Sequence, residues 1–406
     1  MKKFFHRLTF YTAAGLLFIL FLGGVAAFLT PHSLTMSSDC DMSFCRFPLS
    51  LDAEAPQAAA DSSTDTVTSG TLKLFGLIPV KNVDMTFTER PLVHIGGEPF
   101  GIRLYTDGLI VSRISDIPTS EGTKFPAKEA GINVGDTILS VNGTKLKTNE
   151  QLLDAVEQSG GKPLRISIHS ESGTRNTTIT PVTDSQLGKL RIGLWIRDSC
   201  AGIGTLTFSD PFSHTLAGLG HGITDSESGS IMPLLEGDIV KAGIYSVQKG
   251  TGGCPGALCG FFSDNSPVGE ISANDECGIF GTYNERFGCG RLIPVAFRQE
   301  VVRGPAKLRT TVSESAPEEY DVYIEEISYN NSNITKNMVI HITDQRLLDK
   351  TGGIVQGMSG SPIIQNGRLV GAVIHVFIND PSRGYAVFAE NMTDFNNNLI
   401  RKQAAS

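Results

Sequence analysis

The sequence lacks the motifs of several common enzyme classes. No His-Glu-x-x-His run occurs to form a zinc-peptidase site, and no Gly-x-x-x-x-Gly-Lys-[Ser/Thr] loop is present to bind nucleotide phosphates. Basic residues are too few for a nucleic-acid-binding surface, since 34 Lys and Arg stand against 42 Asp and Glu, a net charge of -8. No internal repeat is apparent. The sequence therefore calls for no cofactor, no metal and no nucleic-acid partner.

Glycine, by contrast, is abundant. The 406 residues include 44 glycines, and in the C-terminal half short runs of Val, Ile and Phe alternate with Gly, Asn and Asp. Such alternation is typical of short strands joined by tight turns. With 40% hydrophobic and 19% charged residues, the chain has the composition of a folded protein and is long enough for two or three domains. We predict a mostly β protein.

The N-terminus has a basic segment followed by a long apolar run. Lys2, Lys3 and Arg7 precede the 22 uncharged residues 8–29. As a helix this run would be about 33 Å long, enough to cross the hydrocarbon core of a bilayer. Residues 1–30 are therefore predicted to be a cytoplasmic basic segment and a transmembrane anchor, with the rest of the chain outside the cytoplasm. A cleaved signal peptide is the alternative, but its apolar region is usually shorter, and residues 25–27 are a poor cleavage site.

Seven cysteines are present, which in an exported protein makes disulfides plausible. Four of them lie close in sequence, at positions 254, 259, 277 and 289, and allow three pairings. Their spacing matches no standard set of zinc ligands. We expect disulfides or reduced surface thiols in this segment.

The chain divides into segments of different character. Residues 31–70 lose periodicity and are predicted to be a flexible linker, since between 53 and 69 the only large apolar residue is Val67. Residues 71–96 form a strand-like lead-in. Residues 97–185 read as an independent module, with a short helix at 127–131, a strand at 134–143, an amphipathic helix at 149–158 and a closing strand at 164–169.

This module resembles a PDZ domain. The resemblance rests on the run Ala130-Gly131-Ile132-x-Val134-Gly135-Asp136-x-Ile138-x-x-Val141-Asn142-Gly143. PDZ domains bind a peptide as an added strand and hold its C-terminal carboxylate in a backbone loop. By resemblance, Phe100, Gly101 and Ile102 form that loop, facing the helix that begins at Asn149. The alternative is a scaffold that binds nothing.

A candidate nucleophile lies near the C-terminus, in the run Gly357-Met358-Ser359-Gly360-Ser361-Pro362. A nucleophilic serine needs a sharp turn that exposes its hydroxyl, with amide groups directed at the oxygen that becomes negative. Glycines on both sides permit such a backbone. The run resembles the nucleophile segment of chymotrypsin-like peptidases, which implies Ser359 as the nucleophile and the amides of Gly357 and Ser359 as the oxyanion hole. A simple turn between strands is the alternative.

Of eight histidines, His221 is the best candidate for the general base. It stands between glycines where a strand gives way to a turn, and it precedes the serine, as the chymotrypsin-like order His-Asp-Ser requires. His214 is the nearest rival. The others flank the apolar run, border the PDZ-like module or lie within strand-like runs: His6, His32, His94, His169, His341 and His375.

The acid that orients the base is the least defined member of the site. Asp344 follows a strand-like run 15 residues before Ser359. Asp225 and Asp349 are competitors, and Asp225 is close to His221 along the chain. In chymotrypsin-like peptidases the acid usually lies farther upstream, so Asp344 departs from that pattern.

One family resembles the chain after the linker: the stage IV sporulation protein B peptidases of endospore-forming bacteria. The segments that carry this resemblance are 74–79, 195–198, 201–208, 219–221, 351–362, 375–381 and 384–385. It implies a chymotrypsin-like double β-barrel at 186–400, after the PDZ domain, with His221, Asp344 and Ser359 as the triad. It also implies self-cleavage, secretion from the forespore into the space between two membranes, and cleavage of a membrane-bound regulator. That cut activates an intramembrane metalloprotease and, through it, a late sigma factor.

The substrate pocket and two rival functions complete the expectations. In chymotrypsin-like folds the strand after the nucleophile and a later Gly-Tyr pair line the pocket, which gives His375, Phe377, Gly384 and Tyr385 as substrate-binding candidates. A generic envelope-stress serine protease is one rival, although such proteins carry the PDZ domain after the protease. A tethered PDZ adaptor with an inactive peptidase fold is the other, although His221 and the serine motif are both intact.

Overall fold

The computed structural model describes residues 2–29, 33–37, 49–52, 66–170, 172–225, 229–284, 290–329 and 334–405. The N-terminal part consists of helix α1 (Lys2–Leu29) and strands β1 (Ser33–Met36), β2 (Leu49–Asp52), β3 (Thr66–Leu74) and β4 (Ile78–Phe87). The strands form one sheet in the order β1-β4-β3-β2, around Leu34, Leu72 and Val83.

Two predictions made from the sequence, the transmembrane anchor and the flexible linker, concern this N-terminal region. Residues 2–29 form the continuous helix that the apolar run predicts. Within the described ranges, however, no helix combines the length and the apolar character needed to cross a bilayer, and the predicted transmembrane anchor is not confirmed. The predicted flexible linker at 31–70 differs from the structure wherever that range is described, because residues 33–36, 49–52 and 66–70 belong to strands.

After strand β5 (Leu92–Ile95), the long strand β6 (Pro99–Ile114) leads into the PDZ-like module. The module contains β7 (Ile117–Thr119), β8 (Gly122–Lys124), α2 (Pro126–Glu129), β9 (Thr137–Val141), β10 (Thr144–Lys145), α3 (Asn149–Gln158), β11 (Leu164–Ser170), β12 (Gly173–Ile179), β13 (Val182–Thr183) and β14 (Leu190–Arg191). Helix α3 covers the predicted range because its apolar positions, Leu152 and Val156, share one face and are buried. They join Leu109, Val111 and Ile166 in the module's core.

The next six strands are β15 (Leu194–Asp210), β16 (Thr215–Gly218), β17 (Leu234–Gln248), β18 (Ala257–Asp275), β19 (Gly278–Tyr283) and β20 (Leu292–Pro294). Pairing of β6 with β15 closes the first barrel, whose strands follow one another in the order β6-β17-β18-β19-β16-β15. Its interior is apolar and includes Phe100, Leu104, Leu206 and Ile239.

The PDZ-like module is therefore inserted into the first barrel. Residues 99–105 of β6 pair with residues 199–205 of β15 inside the barrel, while residues 110–114 pair with 194–197 inside the module. The two strands run through both units without interruption. The sequence prediction of a peptidase domain beginning at residue 186 differs from this arrangement, because the first barrel takes a strand from either side of the module.

The second barrel is formed by β21 (Gly304–Thr310), β22 (Glu318–Ile327), β23 (Met338–Ile342), β24 (Pro362–Gln365), β25 (Arg368–Phe377) and β26 (Asp380–Phe388). It is closed in the order β21-β22-β23-β26-β25-β24. A 3-10 helix (Arg298–Glu300) precedes the first strand of this barrel. Helix α4 (Gln345–Thr351) lies in the connection between β23 and β24, and α5 (Ala389–Ala405) follows β26.

The two barrels pack on a shared apolar layer. Phe208, Ala217 and Phe280 of the first barrel belong to the same buried cluster as Leu369 and Val387 of the second. Burial of large apolar side chains contributes roughly 1.5–3 kcal/mol each, which holds the barrels side by side. The predicted fold class, mostly β with a PDZ-like module and a double-barrel peptidase, is confirmed apart from the transmembrane helix.

Candidate active site

The predicted nucleophile lies on a tight turn that leads into β24. Gly357 and Gly360 have φ angles of 95° and 92°, a region that side chains with a Cβ rarely adopt. A Cβ on Gly360 would also lie 2.1 Å from the carbonyl oxygen of Thr205. The glycines around Ser359 are thus required by both the backbone shape and the close approach of β15.

The two serines of this turn have different surroundings. Ser361 is fully buried, and its hydroxyl donates to Oγ1 of Thr310 at 2.9 Å. Ser359 lines a cleft of about 520 Å³, and its hydroxyl donates to the carbonyl of Ile374 at 2.9 Å. Only Ser359 is accessible to a substrate.

Hydrogen bonds donated to three of its backbone carbonyls hold the nucleophile turn in place. The Thr205 amide donates to the Ser359 carbonyl at 3.0 Å, and the Thr205 hydroxyl donates to the Gly357 carbonyl at 2.8 Å. Thr207 holds the Gly360 carbonyl in the same way at 2.7 Å. The amides of Gly357 and Ser359, in contrast, donate to no other residue that the structure describes. Two unused amides beside the hydroxyl are what an oxyanion hole requires.

His221 follows β16 and lines the same cleft as Ser359. Its Nδ1 lies 2.9 Å from the carbonyl oxygen of Gly222. Because a carbonyl only accepts hydrogen bonds, Nδ1 carries the proton and Nε2 keeps a free lone pair. Burial lowers the pKa of His221, and the Gly222 carbonyl partly opposes that shift. The imidazole is therefore neutral at neutral pH, the form that a general base needs.

His375, on β25, is the neighbour of His221. The two ring centroids are 4.9 Å apart, and His375 also lines the cleft. Burial lowers the pKa of His375, with further contributions from His221 and Lys336. Of the four predicted substrate-binding residues, His375 is the one that lines the cleft. The rings of Phe377 and Tyr385 contact each other at a tilt of 58°, with centroids 4.8 Å apart, and Gly384 packs under the His375 carbonyl.

The predicted acid is engaged elsewhere. Asp344 caps the N-terminus of α4, where one carboxylate oxygen accepts from the Arg346 amide and the other from the Asp321 amide. The Arg346 guanidinium binds both oxygens at 2.8 and 3.1 Å and holds the pKa of Asp344 at about 2. Among the described residues that line the cleft, none is an aspartate or glutamate.

The competing acids do not replace Asp344. Asp349 accepts a hydrogen bond from Gln345 on the surface of α4. Asp225 is buried, and its carboxylate lies 3.7 Å from the Arg197 guanidinium. Asp344 therefore does not form a triad with His221 and Ser359 in this structure. Its carboxylate oxygens already accept hydrogen bonds from two backbone amides and from the Arg346 guanidinium.

The residues predicted to form the carboxylate-binding loop of the PDZ domain lie in the first barrel. Phe100 and Ile102 are buried in the first barrel, and a Cβ on Gly101 would meet Val240 and Phe262 at 2.6 Å. These residues form barrel strand β6 instead of the PDZ groove. An apolar-Gly-apolar run fits both a barrel strand and a PDZ loop, and only long-range pairing separates them.

The segment around the clustered cysteines supports the nucleophile turn. Gly256 and Leu258 form backbone hydrogen bonds with Gln356, and Leu258 packs on Gly357. Sequence reasoning did not find this brace or the role of Thr205, although Thr205 lies in a segment that carries the family resemblance. Four cysteines have free thiols: Cys200, Cys254, Cys259 and Cys277. Cys289, like Cys40 and Cys45, is outside the described residues.

Comparisons with known proteins define the class. Residues 119–169 match the PDZ domain, and residues 188–393, slightly more than half of the chain, match the family described as SpoIVB peptidase S55. The matched family is a family of peptidases, and the match to the PDZ domain precedes it in the chain. The chain belongs to the SpoIVB peptidase S55 family.

Individual relatives match only parts of the molecule. The zinc metalloprotease RasP of Geobacillus kaustophilus is 24% identical over 155 residues, which are 32% of this chain and 34% of that protein. The chain spans 34% and 27% of the length of two curated relatives it matches. The PDZ domain of the SdrC-like protein from Listeria monocytogenes is 19% identical, with a TM-score of 0.19, and covers 23% of this chain and 90% of its own. The HtrA-type protease AlgW is 9% identical, with a TM-score of 0.32. The match covers 53% of this chain and 55% of AlgW.

Proposed function

We propose that Ser359 is the nucleophile and His221 the general base of this serine endopeptidase. The observation that carries the proposal is that the Ser359 hydroxyl and the His221 ring line one cleft between the barrels, beside the unused amides of Gly357 and Ser359. The Ser359 hydroxyl rotates from the Ile374 carbonyl toward His221 Nε2, which takes its proton as the oxygen attacks the scissile carbonyl. The two amides stabilise the oxyanion, and the protonated His221 then gives its proton to the leaving amine.

The base is oriented without a carboxylate in this scheme. The Gly222 carbonyl accepts a hydrogen bond from the Nδ1–H group of His221. This bond fixes the tautomer that leaves Nε2 free. The imidazolium that forms during attack lies next to His375, whose own pKa is lowered and which is therefore neutral. A neutral neighbour does not repel the transient positive charge.

The test uses the full chain and two serine variants. Wild type is expected to cleave its own chain and to react covalently with a fluorophosphonate, whereas Ser359→Ala should do neither. Ser361→Ala is the matched control, since it removes a hydroxyl from the same turn and should leave labelling within about threefold of wild type. Labelling that survives in Ser359→Ala and disappears in Ser361→Ala would reverse the assignment.

The biological substrate is the second part of the proposal. Family membership supports a membrane-bound regulatory protein, cleaved during sporulation to activate intramembrane processing of a late sigma factor, together with cleavage of the chain itself. Purified wild type and Ser359→Ala should be incubated with ectodomains of candidate membrane regulators, and the cuts mapped by mass spectrometry. A regulator that remains intact with active wild type is excluded as the substrate.

The location of the protein is the third part. The basic residues Lys2, Lys3 and Arg7 before the uncharged run 8–29 support membrane attachment, with the peptidase outside the cytoplasm. Carbonate extraction of membranes should leave the full chain in the pellet and release a variant that lacks residues 2–29. Equal release of both proteins would refute the anchor.

A further inference from the structure

The turn between β3 and β4 carries three exposed apolar side chains. Phe75, Leu77 and Ile78 are 43%, 82% and 40% exposed, whereas Leu74, directly before them, is buried in the N-terminal sheet. We call residues 75–78 the apolar tip. Grouped exposed apolar side chains, unlike single ones, mark a surface that contacts something outside the fold.

The backbone of the apolar tip is not the one that its sequence favours. The Leu77 amide donates to the Leu74 carbonyl at 3.1 Å, and the two residues between them, Phe75 and Gly76, have φ angles of 54° and 72°. In a turn with two positive φ angles the first of these residues is usually Asn, Asp or Gly, because a bulky side chain is strained there. Phe75 therefore makes a poorer turn than a small polar residue would. Strained residues of this kind cluster at functional sites.

Helix α1 joins the sheet from the end that carries the apolar tip. Strand β1 runs parallel to β4, with Ser33 opposite Asp84, so the chain enters β1 from the end at which β4 begins. Helix α1 ends at Leu29, four residues before Ser33, and so within about 14 Å of it. The helix also contacts β4 directly. The C-terminal end of α1 and the apolar tip therefore lie toward the same end of the sheet.

The surface of α1 is apolar on more than one side. Leu16, Leu17 and Phe18 are 64%, 67% and 62% exposed, and successive residues of a helix point in directions about 100° apart. A helix that is apolar on several sides and is not covered by protein fits the interior of a bilayer. The apolar tip thus lies near the element that we propose to be the membrane anchor.

The N-terminal sheet is fastened to the barrels. The Gln299 side chain, just before the second barrel, donates to the Thr35 carbonyl of β1. The Arg90 guanidinium, in the connection from β4 to β5, binds the Glu300 carboxylate at 2.7 and 2.9 Å and the Val295 carbonyl at 2.8 Å. Both side chains of this ion pair are largely buried. A contact made by the apolar tip therefore restrains the barrels as well as the sheet.

We propose that the apolar tip inserts into the surface of the bilayer that holds α1 and forms a second membrane contact of the chain. Phe75 and Leu77 enter the boundary between headgroups and acyl chains, roughly 5–10 Å deep. Two contacts made through one sheet hold that sheet, and the barrels fastened to it, in a single orientation relative to the bilayer. The proposal rests on the proposed membrane attachment through residues 2–29.

The test places a fluorescent probe at the apolar tip of the full chain. Trp195 is the only tryptophan in the sequence, so Trp195→Phe gives a background without tryptophan emission. In that background Leu77→Trp is compared with Leu153→Trp, because Leu153 lies on the PDZ-like module and is 61% exposed. Substitution at such exposed positions should leave the fold unchanged. Each protein is reconstituted into phosphatidylcholine vesicles with and without lipids brominated on the acyl chains, which quench a nearby tryptophan.

The two probes should respond differently to the brominated lipids. The Leu77→Trp protein should lose about half of its fluorescence and emit at a shorter wavelength than in detergent-free buffer, whereas Leu153→Trp should change little. Unquenched Leu77→Trp in protein that floats with the vesicles would overturn the tip contact and leave the attachment through α1 intact. Equal quenching of both probes would also overturn it, since the contact would not be specific to the tip. Protein that does not float with the vesicles would instead refute the membrane attachment itself, so the failures are distinguishable.

Discussion

The chemistry proposed for Ser359 and His221 depends on the backbone around them. Neither residue has a charged partner in the cleft, within the described part of the chain. The carbonyl of Gly222 sets the tautomer of the imidazole, and the carbonyls of the nucleophile turn are tied to Thr205 so that its amides stay free. Sequence reasoning singled out Ser359 and His221 because glycines mark both turns, and the structure places both residues in one cleft. It did not identify the backbone groups that hold them in place, because every residue has a backbone amide or carbonyl and no sequence pattern marks these.

The lowered pKa of His221 predicts the pH dependence of the reaction. The protonated ring cannot act as a base, so fluorophosphonate labelling should rise with pH along a limb whose midpoint is below the ordinary histidine value of about 6.5. The folded state also binds this proton less readily than the unfolded chain, so the His221 contribution to stability falls as pH drops below about 6.5. Labelling rates and urea midpoints between pH 5 and pH 8 would check both signs, and a limb centred above about 7 would contradict them.

Asp344 is predicted to act in folding. Because it caps α4 and binds Arg346, Asp344→Asn should lower the free energy of unfolding at pH 7 by about 1 kcal/mol. Since its pKa in the folded protein is about 2, below the unfolded value of about 3.9, this contribution is present above pH 4 and is lost as pH falls through about 2. Urea melts at pH 7 and pH 3 would measure it, with the exposed Asp349→Asn as control.

The activity of the same variant separates two roles. A triad aspartate replaced by asparagine lowers kcat on the order of 10⁴, whereas a helix cap should leave the labelling rate per folded molecule within about tenfold. A folded, stable Asp344→Asn protein with the larger loss would show that Asp344 moves to His221 in the working enzyme.

At the scale of elements, β15 determines the geometry of the nucleophile turn. Thr205→Val keeps the shape of the side chain but removes the hydroxyl that donates to the Gly357 carbonyl. The labelling rate should fall by about ten- to a hundredfold, because one carbonyl of the turn is released and the oxyanion amides lose their alignment. Thr177→Val is the control, since its hydroxyl donates to the Ala130 carbonyl in the PDZ-like module. An equal loss in both variants would point to general destabilisation.

The elements also show where sequence reasoning stops. Helix α3 and its bounds could be predicted, because a stripe of buried leucine and valine is a local pattern. The assignment of Phe100, Gly101 and Ile102 to the PDZ groove was wrong, since their position depends on pairing with β17 and with residues more than ninety positions away in β15. Strand pairing between distant segments has no local signature, and for the same reason the insertion of the module into the barrel could not be read from the sequence.

At the scale of the whole molecule, the barrels should fold without the module. Tyr105 and Ser199 are opposite one another in the ladder, so an Asn-Gly turn can replace residues 106–198 and close a β-hairpin. The shortened protein should remain folded and react with a fluorophosphonate, because every strand of both barrels is retained. Circular dichroism and labelling would check this result. An unfolded product would show that the module is needed for the barrel to close.

Two antiparallel strands, rather than a single connecting peptide, join the PDZ-like module to the barrel. Any swing of the module must twist this ribbon as a unit or break its hydrogen bonds, so the expected motion is a limited rotation about the irregularity near Asp198. A single proteolytic cut inside the module would also leave both fragments attached, because each keeps one strand of the ribbon. Clipping there would damage the module without releasing the barrels from it.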